Sequence, residues 1–109
     1  MYFFDWNVTA FKQARVGVFY KTVIGENVQM FYIKLEHGQF TNHGHSQEQM
    51  GYILAGEAEL IVDGEKKICR SGGAYYIPGN IPHGFRVISG EYLEYIEIFS
   101  PPKEGHKKL

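Results

Sequence analysis

Tyr52-Ile53-Leu54 and Ala58-Glu59-Leu60-Ile61-Val62 stand on either side of Gly56-Glu57, and Asp63-Gly64 separates the second run from Lys66-Lys67-Ile68-Cys69. Short apolar and β-branched runs cut by Gly-bearing pairs predict two consecutive hairpins, because such pairs accept the positive φ that tight turns demand. The same pattern extends in both directions. Upstream, residues 16–23 form one run closed by Gly25-Glu26-Asn27, and residues 28–36 form the next, with Phe31, Ile33 and Leu35 on one face at a period of two. Downstream, Ser71-Gly72-Gly73 turns into Ala74-Tyr75-Tyr76-Ile77, and residues 78–82 are a loop by composition. Residues 84–88 and 92–99 supply the last strands, divided by Ser89-Gly90, and Pro101-Pro102 ends the sheet because proline cannot donate to a ladder. The one helical signal is a short turn over residues 11–15, after a possible cap at Thr9. Roughly eight or nine short strands, with no helices to serve as crossovers, predict an all-β sandwich or barrel.

The chain has 109 residues, enough for one domain, with a core expected over about 16–100, an N-terminal segment at 1–15 and a charged tail at 101–109. It is 44% hydrophobic and 21% charged, as folded domains are, and its formal net charge of -1 argues against a nucleic-acid partner. No apolar run approaches the roughly 20 residues of a membrane span, so no membrane partner is expected. Cys69 is alone, which excludes an intrachain disulfide and fits a cytoplasmic protein. The first six residues include four aromatics but lack the basic and apolar regions of a secretory signal. Met30 and Tyr32 lie opposite the Phe31 face, so that strand is apolar on both sides; with the aromatic N-terminus this predicts a covered second face, as in a homodimer.

Two of the five histidines form His43-Gly44-His45. On a strand, residues i and i+2 face the same side, so both imidazoles can converge on one point, although the pair alone is a weak signal that a solvated loop would also satisfy. The surroundings strengthen it: Gly38 precedes the pair, Gln49 follows His45 after three residues, and Gly56 follows Gln49 after six. Gly72 is in turn followed by Pro78-Gly79-Asn80-Ile81-Pro82-His83. The first stretch resembles the first cupin motif, G-(x)-H-x-H-x(3,4)-E-x(6)-G, and the second resembles the second motif, G-x(5)-P-x-G-x(2)-H. The resemblance spans Gly38 to His83 and implies a double-stranded β-helix, or jelly-roll barrel, carrying a divalent metal such as Zn, Ni, Fe or Mn. The departures are Gln49 in place of the motif's Glu, Asn80 (a residue that also tolerates positive φ) in place of its second glycine, and Val87 where a terminal Asn would fall. Spacing favours Gln49 over the neighbouring Glu48 as the metal ligand, since alternation turns Glu48 away when Gln49 points in.

The implied metal ligands are therefore His43, His45, Gln49 and His83. Three neutral imidazoles and a carboxamide cancel none of a divalent ion's charge, which makes the ion a stronger Lewis acid and a better attractor of an anionic oxygen than a three-His, one-Glu set would. The pattern His43 to Gln49, combined with Phe99-Ser100-Pro101-Pro102, is also similar to a subgroup of small cupins. That subgroup includes pectin-degradation enzymes that open the ring of unsaturated uronate monosaccharides. In those enzymes an Asp and a Phe of the last strand and an Arg just beyond it complete the active site. The matching positions here are Glu97, Phe99 and Lys103. Glu for Asp lengthens the arm by a methylene, and Lys for Arg loses the fork that grips a carboxylate.

Glu97, Phe99, Tyr95 and Leu93 share one strand face, where a carboxyl among aromatics would have a raised pKa and serve as a general acid or base; the opposite choice puts Ile96 and Ile98 in the core. The leading expectation is a metal-dependent isomerase or ring-opening enzyme acting on a small anionic sugar- or keto-acid-like substrate, with Glu97, Phe99 and Lys103 as its catalytic residues. An iron-dependent dioxygenase and a non-catalytic barrel binding a small ligand or metal remain open, because one architecture hosts many chemistries.

Overall fold

The computed structural model describes residues 2–39 and 44–103. Among these, the strands are β1 (Lys12–Arg15), β2 (Val18–Ile24), β3 (Gln29–Glu36), β4 (Glu48–Val62), β5 (Glu65–Arg70), β6 (Ala74–Ile77) and β7 (His83–Ser100). All pairings are antiparallel, in the order β1-β2-β3-β7-β4-β5, with β6 also paired to β4.

Two expected turns are absent. Gly56-Glu57 does not close a hairpin, and Ser89-Gly90 does not separate two strands: β4 and β7 each run straight through. Their common pairing explains why. Residues 48–53 of β4 pair with the second half of β7, residues 57–62 pair with its first half, and the register shifts between Ile53 and Ala58. Gly56 and Gly90 meet at that point, with φ of 87° and 85°, and the Tyr92 carbonyl occupies the space a Cβ at Gly56 would need. The glycines therefore bend two paired strands together, and the ladder continues across the bend as it does at a bulge. Beyond the bend, β5 and the first half of β7 flank β4; before it, β6 and the second half of β7 do. The sheet thus folds over itself into a barrel. Phe31, Ile33, Leu35, Ile53, Leu93, Tyr95 and Phe99 from one layer pack in a single core with Ala58, Leu60, Phe85 and Val87 from the other.

The helical turn expected over residues 11–15 is also not there. Those residues extend into β1 and pair with β2, Lys12 opposite Tyr20 and Gln13 opposite Phe19. A helix that short would leave nearly all its backbone groups without partners, whereas the ladder satisfies them. A 3-10 turn sits earlier instead, at Trp6–Val8, where the Asp5 carboxylate accepts the Asn7 N–H at 2.9 Å.

The outward face of β3 is covered only in part. Trp6 and Phe11 of the same chain pack on Tyr32, with ring centroids 6.0 and 5.6 Å away. Beside them Met30, Ile98, Met50 and Tyr76 follow one another in register across β3, β7, β4 and β6, and Met50 is 56% exposed and Tyr76 51%.

Candidate metal and catalytic site

The inward faces of β4 and β7 deliver most of the site, and strand alternation does the sorting. Gln49 is buried while Glu48 faces out, where it accepts a hydrogen bond from the Tyr76 hydroxyl at 3.1 Å. Glu97 and Phe99 are buried with Tyr95, while Ile98 lies on the opposite face at 40% exposure. His83 opens β7, and His45 precedes β4. The loop over residues 78–82 holds these two together. Asn80, at a φ of 63°, donates its N–H to the His45 carbonyl at 2.7 Å, and the Ser46 carbonyl occupies the space a side chain at Gly79 would need.

The His45 and His83 rings meet with centroids 5.0 Å apart. Each ring faces a backbone carbonyl through Nδ1, His45 that of Gln47 at 3.1 Å and His83 that of Ile81 at 2.9 Å. A carbonyl can only accept, so each Nδ1 carries the proton and each neutral ring has its lone pair on Nε2. Burial depresses the pKa of both rings. The Lys103 charge lowers both further, and His83 adds to the effect on His45; backbone carbonyls oppose it at both rings, and the neighbouring Gln49 side chain opposes it at His45. Both are thus neutral, as metal binding requires.

Gln49 is the third candidate donor. Its Nε2 donates to Glu97 Oε2 at 2.5 Å, and its Oε1 is buried with no hydrogen-bond partner among the described residues. A buried amide oxygen left so is costly unless something electropositive meets it. Two neutral imidazoles and a carboxamide oxygen are hard-to-borderline donors that suit a divalent cation, so the residues present fit one. No group of three His, Cys, Asp or Glu side chains gathers among the described residues. His43, the fourth expected ligand, lies outside the described residues, as does His106. His37 is exposed, its Nδ1 2.9 Å from the Gly90 carbonyl.

Glu97 is 5% exposed, and burial raises its pKa to about 7 against the opposing pull of the Tyr75 hydrogen bond, the Lys103 charge and the Gln49 hydrogen bond. A carboxyl poised there can both take and return a proton near neutrality. Lys103 belongs to the charged tail by sequence but is only 7% exposed. Its N–H donates to the buried Gln29 Oε1 at 2.9 Å, and its Nζ stands 4.6 Å from the centre of the Phe99 ring. Burial lowers its pKa to about 8, with Glu97 opposing and Arg15 adding to the shift. Phe99 is the wall between, edge-on to His45 at 5.6 Å and to Phe31 at 5.5 Å.

Sequence reading missed three contributors. Gln29 shares the inward parity of Phe31, Ile33 and Leu35, and a polar residue at such a position was the available signal. Tyr75 shares the parity of the buried Ile77, and its hydroxyl donates to Glu97 Oε2 at 2.5 Å. Arg15 lines the same cavity from β1 and left no local signal, since only the folding of β1 against the barrel brings it there.

Comparison with known proteins agrees with this architecture. The profile of the cupin domain matches residues 30–99. The chain is 38% identical over 64 residues to the pectin degradation protein KdgF of Dickeya dadantii, across 58% of this chain and 57% of that protein, so it aligns with little more than half the length of this curated relative. Its fold matches the structure of KdgF from Halomonas sp. with a TM-score of 0.87 and 25% identity, covering 95% of this chain and 96% of that one. It also matches an RmlC-like cupin from Shewanella frigidimarina with a TM-score of 0.89 and 22% identity, covering 97% and 96%. With the family profile matched over residues 30–99 and the barrel on which both motifs converge, the chain belongs to the cupin family.

Proposed function

We propose that this chain is a metal-dependent cupin that opens the ring of a small unsaturated uronate or a closely related anionic sugar derivative. The observation that carries the reading is one cavity lined together by His45, Gln49, His83, Glu97, Phe99, Lys103 and Arg15. It thus brings candidate metal donors, a proton-transfer group and two cations to one place. The likeness to KdgF supports the choice of substrate class.

His43, His45, Gln49 and His83 would hold the cation, which when bound supplies Lewis acidity toward a substrate hydroxyl or carbonyl. Ring opening is an isomerisation: a proton leaves a hydroxyl, the ring C–O bond breaks, and a proton returns to the same molecule. One carboxyl that both accepts and returns a proton is enough, and Glu97 has the pKa for both halves. Lys103 and Arg15 answer a substrate carboxylate, Lys103 as a point charge and Arg15 with the guanidinium fork that a lysine lacks. The cavity offers about 10 Å³, space for about one water, so entry of a sugar-sized substrate requires side chains of its lining to move.

We also place the expected homodimer on the outward row, where the exposed side chains of Ile98, Met50 and Tyr76 adjoin in register beside the half-buried Met30.

The test is direct. Protein loaded in turn with Zn, Ni, Fe or Mn is incubated with 4,5-unsaturated galacturonate, and the absorbance of the conjugated double bond is followed. Its loss is expected, without oxygen uptake. Absorbance that persists with every metal overturns the reading, and oxygen consumption confined to the iron form would assign a dioxygenase instead. Within the expected reaction, Arg15→Ala should raise KM about tenfold or more with a smaller effect on kcat, the loss expected of a charged contact made to substrate and transition state alike.

A further inference from the structure

Tyr75, Gly51 and Glu97 form one row across three neighbouring strands of the inward face, Gly51 paired in register with Tyr75 on β6 and with Glu97 on β7. The middle of the row carries no side chain, and the Tyr75 phenol fills that space: a Cβ built at Gly51 would fall on the ring and its hydroxyl. Lying across Gly51, the phenol reaches Glu97 and donates to Oε2 at 2.5 Å. The same oxygen accepts the Gln49 Nε2 proton at 2.5 Å. A carboxamide has one donating end and one accepting end. A carboxylate that captures Nε2 therefore dictates where Oε1 must point, and two donors converging on one oxygen keep Glu97 in a single rotamer.

We propose that Tyr75, Glu97 and Gln49 form a positioning chain that aims the Gln49 carboxamide oxygen at the cation, and that residue 51 is glycine because the phenol occupies its place. The inference rests on the metal-binding part of the reading above and adds to it a second role for Glu97. Tyr75 is a positioning residue, acting through Glu97. An outer hydrogen bond of this kind ordinarily fixes the orientation of a metal ligand, and its loss weakens affinity about 10–100-fold.

The experiment titrates cobalt(II) alone into the metal-free protein, following both affinity and the visible absorption of the bound ion, which reports the donor set independently of any substrate. Glu97→Leu should weaken binding about 10–100-fold and change the spectrum, while Glu97→Gln, which retains an accepting oxygen, should restore both. Tyr75→Phe removes one oxygen atom and should act in the same direction as Glu97→Leu, by about tenfold or less. Gly51→Ala should resemble Tyr75→Phe. It has room to fold, because the displaced ring can move into the adjoining groove of about 480 Å³ between β5 and β6, lined by Ile68, Cys69 and Ala74. Gly51→Ala should add nothing when introduced beside Tyr75→Ala, since both act through one contact.

Wild-type affinity and spectrum in both Tyr75→Phe and Glu97→Leu overturn the proposal, as does an additive effect of Gly51→Ala in the Tyr75→Ala background. If wild type takes up no cobalt, this proposal and the metal reading fall together. If cobalt binds with the expected ranking while the uronate is untouched, the positioning chain stands and only the assigned reaction fails.

Discussion

The inward and outward faces of the central strands invert the usual distribution of polarity. Inward, at residues 49, 51, 75, 97 and 99, stand Gln49, Gly51, Tyr75, Glu97 and Phe99; one residue along, the outward row is Met50, Tyr76 and Ile98, joined by Met30. The buried row holds an amide and a carboxyl, and the outward row exposes Met50, Tyr76 and Ile98. Burying polar groups costs several kcal/mol unless they are hydrogen-bonded, and here they bond one another: Tyr75 and Gln49 both donate to Glu97. Exposing apolar side chains in a contiguous row is likewise uncommon unless another surface covers them. Each face departs from the rule for a plain core or a plain surface, as the chemistry proposed inside and the association proposed outside would each require.

The largest effect expected from breaking the inward arrangement is that of His83→Ala. It removes a donor outright, so metal affinity should fall by more than about 100-fold, beyond what loss of an outer partner causes. Isothermal titration of the metal-free protein measures this, and near wild-type affinity would remove His83 from the ligand set.

A smaller effect concerns the stability of the metal-free protein. Glu97 ionises near pH 7 in the folded chain rather than near 4.5, so between those values folding takes up a proton. Its contribution is complete below about 4.5 and is lost as pH rises through about 7. His45 and His83, whose pKa values are lowered, act oppositely: their contribution is present above the ordinary value of 6.5 and is lost as pH falls. Lys103, lowered to about 8, is charged in both states below that and leaves this window alone. The wild-type profile should therefore be flattened by opposing terms. Glu97→Gln removes one of them, so its Tm advantage over wild type, measured in chelator, should be small near pH 4.5 and widen toward pH 7. A gap that stays constant with pH would refute the assignment.

The smallest effect on the folded chain should come from Met50→Asp on the outward row. An exposed substitution of this kind shifts stability by about 0.5 kcal/mol or less. Sedimentation should nonetheless show a wild-type dimer giving way to a monomer. A monomeric wild type, or a dimer indifferent to this charge, would leave the outward face without the partner assigned to it.

Much of this arrangement can be read from the chain directly. The period of two across Phe31, Ile33 and Leu35 identifies a buried face, and the spacing from His45 to Gln49 and on to Gly56 separates Gln49 from Glu48, because strand alternation is a local rule. Asp63-Gly64 marks a true hairpin, since the ladder on either side turns there. Gly56-Glu57 and Ser89-Gly90 carry a similar signal and make no turn. A glycine with positive φ serves a reversal or a bend equally well, and only the pairing of β4 with β7 decides between them. Lys103 is marked for the site by the resemblance alone and by composition belongs to a charged tail; the Gln29 side chain, 74 positions away in sequence, is what holds its backbone against the barrel.

Local composition and periodicity determined that this is an all-β chain and which faces of its strands are apolar, since those properties depend on neighbours within a strand or two, while the resemblance to the two cupin motifs singled out the imidazoles and the amide. Tertiary structure alone decided that Arg15 joins the site, that Gln29 holds the Lys103 backbone, that the Tyr75 phenol takes the place of a side chain at Gly51, and that Glu97 holds the amide end of Gln49. Contacts between strands distant in sequence leave no period to read. They exist only once the bends at Gly56 and Gly90 fold one half of the sheet over the other.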